Sequence, residues 1–85
     1  MTIEDVKSIL LREEYEDTPI FLNPDYADAF LGPSQDGRAV YDYETMIKCL
    51  IEEGMTREEA IEFIDYNTFR VIPYMGDKYP IILLS

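Results

Sequence analysis

The stretch from Tyr41 to Asn67, YDYETMIKCLIEEGMTREEAIEFIDYN, leaves the chain few folding options. Asp42 is suited to an N-cap, because its carboxylate can accept from the first free amides of a helix. Tyr43, Met46, Ile47, Leu50 and Ile51 then follow at i, i+3, i+4, i+7 and i+8, one apolar stripe of an α-helix. Gly54 falls where a helix ends in a left-handed residue. Thr56-Arg57-Glu58-Glu59 is a capping box that starts a second helix. That helix has an inner face of Ala60, Ile61, Phe63 and Ile64, and an outer face of Glu58, Glu59, Glu62 and Asp65 with Tyr66. So short a connection makes the two helices adjacent and steeply turned, an αα-hairpin. Its apolar side must be covered by the flanking segments.

Those flanks read as one more helix and a set of strands. Thr2 and Asp5 form another capping box, and Ile3, Val6, Ile9 and Leu10 recur at helical spacing, predicting a helix from residue 3 to about 15. Glu13, Glu14, Glu16 and Asp17 crowd its C-terminal end, which the helix dipole disfavours, so that end should fray. After Pro19, Ile20-Phe21-Leu22 suits a short strand, and Asn23-Pro24-Asp25 starts a single helical turn through Tyr26, Ala27 and Asp28. Asp36-Gly37 marks a hairpin with Phe30-Leu31 and Arg38-Ala39-Val40-Tyr41 as arms. Thr68-Phe69-Arg70-Val71-Ile72 reads as a strand ended or confined to an edge by Pro73. After Gly76-Asp77, Tyr79 to Leu84 reads as a strand buried on both faces.

The predicted architecture is therefore a single α+β domain over residues 1–85, with three main helices on one face of a small, mainly antiparallel sheet of three to five strands. Its expected core is Val6, Ile9, Leu10, Phe21, Phe30, Val40, Met46, Ile47, Leu50, Ala60, Ile61, Ile64, Val71, Ile82 and Leu83.

Charge narrows the partners. A net charge of −11 on 85 residues opposes direct binding to nucleic acid or to an anionic membrane, both of which need clustered Lys and Arg. The acids concentrate on the helical regions, whereas Asp77 is the only acid after Asn67, against Arg70 and Lys78. Cys49 is the single cysteine, so an internal disulfide is excluded and a reducing cytoplasm is the expected setting. MTIEDVKS is acidic and lacks the basic and apolar regions of a signal peptide, and Ile81 to Leu84 is too short to span a bilayer.

The helix–Gly–helix pattern is superficially that of a DNA-binding helix-turn-helix, but Glu58, Glu59, Glu62 and Asp65 would repel phosphates with only Arg57 to offset them. The same carboxylates suit steering towards a basic protein surface, though acidic helix faces also serve simply as solvated surface. For catalysis the inventory is thin: there is no His, Cys49 has only Lys48 beside it, and no carboxylates stand at a metal-loop or acid–base spacing. The four glycines are isolated turn residues and form no phosphate cradle. No catalytic residue, cofactor or metal is expected. Tyr41, Tyr43, Tyr66, Tyr74 and Tyr79, with Asn67 and Arg70, could line a groove or simply cap the rim of a small core. The candidate partner-binding residues are Glu58, Glu59, Glu62, Asp65, Tyr66 and Arg70.

From Asp36 onward the strings DGRAVYDYETMI and GMTREEAIEFIDYNTFRVIPYMGDKYPII are distinctive. They resemble a family of small uncharacterised proteins that recur in gut bacteria and in their phages and prophages. The resemblance covers about the last fifty residues closely and the N-terminal helix much less so. That family has no established activity, so no functional residues carry over, and what the resemblance implies is a small accessory protein of mobile-element context. The expected function is a non-enzymatic, acidic protein-binding factor acting as an inhibitor of a basic, nucleic-acid-binding host protein. The alternatives are a small regulatory or ligand-binding domain using the Tyr-rich surface, and a structural homodimer paired through a sheet edge.

Overall fold

The computed structural model describes residues 1–84. Helix α1 spans Ile3–Arg12, and its capping box is complete: Thr2 Oγ1 accepts from the Asp5 amide while Asp5 accepts from the Thr2 amide. The helix ends at Arg12, short of the acidic run, and Glu14 adopts a left-handed φ of 65°. Val6 and Leu10, one turn apart, are its buried residues. Ile20-Phe21-Leu22 is extended loop and not the expected strand: Phe21 is buried and Leu22 faces solvent. A single 3-10 turn follows at Ala27–Ala29, as the Asn-Pro-Asp signal implied.

Strand β1 (Phe30–Pro33) pairs antiparallel with β2 (Ala39–Asp42), and β2 pairs parallel with β3 (Ile81–Leu83), giving the order β1-β2-β3. A bulge between Phe30 and Gly32 adjusts the first pairing, and Gly37 closes the hairpin at φ 80°. Phe30, Tyr41 and Ile82 are register partners and therefore point to the same face, towards the core. The opposite face carries Ile81 and Leu83, and Leu83 is exposed. The expectation that the last strand is buried on both faces fails because it is an edge strand whose sheet packs against helices on one side.

Helix α2 (Tyr43–Glu52) starts at Asp42, whose Oδ2 accepts from the Thr45 amide at 2.9 Å and from the Thr45 hydroxyl at 2.7 Å. Met46, Ile47 and Leu50 seal the core, while Ile51 at the edge of the stripe stays exposed. Gly54 (φ 104°) ends the helix, and the second capping box, Thr56 with Glu59, starts α3 (Arg57–Phe63). α2 and α3 pack together as the predicted hairpin.

The chain departs from expectation after α3. Helical structure runs on through a π turn, Ile64–Thr68, a turn of α-helix, α4 (Phe69–Val71), and a 3-10 turn, Ile72–Tyr74. The strand expected at Thr68–Ile72 is absent. β-branched and aromatic residues made the segment look extended, but such propensity is set by context. Here Ile64 and Thr68 are buried, Ile72 packs on the core, and Phe69 stacks on Tyr43 of α2 at 6.3 Å. This spacing of four residues continues the helical period of Ala60 and Ile64, and the packing it gains overrides local preference. Val71, expected in the core, is instead 47% exposed.

The core gathers Val6 and Leu10 of α1, Phe30, Ala39 and Tyr41 of the sheet, Met46, Ile47 and Leu50 of α2, Ala60 of α3, and Ile64. Ile9, Ile61 and Ile82 pack at its margin. Among the described residues no helix is long and apolar enough to cross a membrane.

Candidate protein-binding surface

The six candidate residues all lie on the run of helix from α3 to α4 and all are exposed. The capping box fixes where that run begins, and the burial of Ala60, Ile64 and Thr68 fixes which side turns outward. Glu59 is partly committed, accepting the Thr56 amide at 2.8 Å. Arg57, the only base on α3, is turned away: its guanidinium grips Glu44 of α2 with two bonds of 2.6 and 3.1 Å. That hydrogen bond holds Glu44 below the usual carboxylate range. Among the described residues Glu58, Glu62 and Asp65 have no ion-pair partner.

The structure brings Glu59, Glu62 and Tyr66 to one shallow depression, together with Phe63 and Asn67. Arg70 sits over the Tyr66 ring at 5.7 Å from its centroid, a cation–π distance. Glu58 and Asp65 lie outside this depression. Of the other candidate tyrosines none lines this depression. Tyr41 is fully buried, Tyr43 is half-buried against Phe69, and Tyr79 pairs with Arg38, whose guanidinium lies 4.1 Å from its ring centroid. Tyr74 is 90% exposed.

Residues that the sequence reading did not single out complete the surface. A cleft of about 440 Å3 lies between the 20–24 loop and the helical run, walled by Leu22, Pro24, Phe63, Val71 and Met75. Its floor holds Tyr26 and Thr68, whose hydroxyls bond each other at 2.7 Å. Thr68 is the only buried polar residue described. Tyr26 sits at φ 48° and ψ 33°, a left-handed conformation that disfavours a large side chain. Edge-on packing on Phe21 at 5.5 Å and the Thr68 bond hold it there. A second cleft of about 400 Å3 adjoins the first and is lined by Asp25, Asp28, Glu52 and Glu53. Phe63, read from sequence as an inward residue of α3, is half-buried and borders all three depressions. The burial of Phe21 was legible; that the loop faces a helix was not.

Cys49 is half-buried against the core beside the acidic cleft. Burial, then the charges of Asp28, Glu52 and Asp25, pushes its thiol up, opposite to the shift that activates a nucleophilic cysteine. Among the described residues no group of three or more His, Cys, Asp or Glu is placed to hold a metal ion.

Comparison with protein-family models, with curated proteins and with solved structures finds no match.

Proposed function

We propose that this protein is a non-enzymatic accessory factor that binds a basic protein partner through the outer face of α3 and the π turn. The observation that carries the reading is the set of carboxylates on one rigid helical run, Glu58, Glu62 and Asp65, with their neighbouring base Arg57 tied to Glu44. An unneutralised acidic face of this kind steers a basic partner into contact. Tyr66, 60% exposed and paired with Arg70, supplies the amphipathic anchor that interfaces favour. A basic partner in the cytoplasm includes nucleic-acid-binding proteins, whose phosphate-binding groove an acidic helix face would occupy. The resemblance of the last fifty residues to phage and prophage proteins supports inhibition of such a host protein as the biological role.

The test is retention of a partner from bacterial lysate on immobilised protein at low salt, repeated with the Glu58→Gln/Glu62→Gln/Asp65→Asn variant. The wild type is expected to hold a basic protein that high salt releases, and the variant to lose it. Retention of the same protein by the variant, or of nothing at low salt, contradicts the reading. Loss on Tyr66→Ala and Arg70→Ala, with the carboxylate variant unaffected, transfers the site to a ligand surface around Tyr66.

A further inference from the structure

The three depressions that meet at Phe63 differ in character. The central cleft is lined mainly by apolar side chains, with Asn23 and Asn67 among them, and the Tyr26 and Thr68 hydroxyls on its floor satisfy each other. Leu22 (66% exposed) and Val71 (47% exposed) form opposite lips. On one side the cleft passes into the cavity lined by Asp25, Glu52 and Glu53. Asp28 there already pairs with the Met1 ammonium at 2.7 Å, whereas Glu52 and Glu53 have no ion-pair partner among the described residues. Past Phe63 and Asn67 the cleft also adjoins Glu59 and Glu62 beside Tyr66. An apolar slot therefore opens beside two acidic depressions, which share Met55 and Phe63 with each other.

From this arrangement we propose that the slot is an anchor site for a protein segment carrying one large apolar side chain, Leu or Phe, with Lys or Arg close to it in sequence. The proposal rests on the acidic-face reading and adds the part of the partner that the face alone leaves open. The charge pattern selects the occupant. An anionic membrane surface and a nucleic acid would both meet the carboxylates beside the slot and be repelled. A neutral apolar segment would fill the slot but leave the carboxylates unmatched. A basic segment satisfies both: its anchor leaves water against Leu22, Phe63, Val71 and Met75, and its cations meet Glu52 and Glu53 of one acidic depression and Glu59 and Glu62 of the other. Anchors buried in a desolvated pocket, with surrounding contacts that exclude water, are the usual arrangement at tight interfaces.

Three labelled peptides of equal length test this by fluorescence anisotropy on the whole chain at low salt: Lys/Arg-rich with a central Leu, Lys/Arg-rich with a central Ala, and Glu-rich with a central Leu. The basic Leu peptide is expected to bind about tenfold tighter than the basic Ala peptide, the effect of burying one such side chain. Leu22→Ser and Val71→Ser, both at exposed lips, neutral and checked for folding by circular dichroism, should bring the basic Leu peptide down to the level of the basic Ala peptide. Equal binding of the two basic peptides overturns the anchor site and leaves the acidic face standing. Binding of the Glu-rich peptide as tightly as the basic Leu peptide overturns the basic partner. Binding of none of the three overturns both.

Discussion

At the scale of single residues, two tyrosines bear most of the weight. Tyr26 accepts an unfavourable backbone in exchange for a buried ring and a hydroxyl bond to Thr68 at 2.7 Å. Removing one partner strands the other hydroxyl in the core, whereas removing both leaves nothing unsatisfied. Tyr26→Phe and Thr68→Val should therefore each destabilise by about 1–3 kcal/mol, and the double variant by less than their sum; strictly additive values in urea unfolding would show that the bond is not a coupled unit. Tyr41 is fully buried, with its hydroxyl accepting from the Phe21 amide, and burial pushes it up to about 12. Because the folded value lies above the unfolded one, this tyrosine contributes stability in full below pH of about 10, and the contribution is lost as the pH rises towards about 12. In an alkaline titration a fraction of the tyrosinate absorbance should thus appear together with loss of helical circular dichroism. Full ionisation of all seven tyrosines while the helices persist would contradict the burial of Tyr41.

At the scale of elements, helix starts were legible and helix continuation was not. Asp42, Thr56 and Thr2 each cap the helix that their spacing predicted, since a cap is a local bond between residues three apart. Thr56→Ala should cost about 1 kcal/mol and Thr56→Ser almost nothing, measured as shifts in the urea midpoint; equal losses for both would mean that the hydroxyl is not the capping group. The hairpin at Asp36-Gly37 was legible for the same reason. Gly37 is also fixed from a distance: a Cβ there would stand 2.9 Å from the Tyr15 ring, and its carbonyl accepts from the Thr18 hydroxyl at 2.7 Å. The helical run beyond Phe63 was misread because Thr68 to Ile72 has strand composition, and only contact with Tyr26 and Tyr43 decides its state. Leu83 and Val71 were misplaced in the core for a related reason: an apolar residue does not record which side of its element is covered. The acidic face could be read from spacing alone. The slot between Leu22 and Val71 could not, because its walls are nearly fifty residues apart in sequence and are brought together by the fold.

At the scale of the whole molecule, the excess of negative charge acts on folding and on binding with opposite salt dependence. The four ion pairs described, Met1–Asp28, Lys7–Glu4, Arg38–Asp36 and Arg57–Glu44, each include an exposed carboxylate, and surface pairs of that kind contribute little each. Against them stands a net charge of −11, whose mutual repulsion opposes the compact state. Added salt screens both, but the repulsive pairs outnumber the attractive ones, so the balance favours the fold. Raising ionic strength from about 0.01 M to about 0.15 M shortens the Debye length from roughly 30 Å to roughly 8 Å, within the span of one small domain. The melting temperature should rise over that interval, by several degrees for each kcal/mol of repulsion removed from a domain of this size. Binding of a basic partner should weaken over the same interval, since the field that attracts it is the field that strains the fold. The Glu58→Gln/Glu62→Gln/Asp65→Asn variant should accordingly melt higher than the wild type at low salt and converge with it at high salt. Differential scanning calorimetry across the salt series decides the matter: a melting temperature that is flat or falls with salt would mean that the helical carboxylates are already compensated, and would remove the physical basis for an acidic docking face.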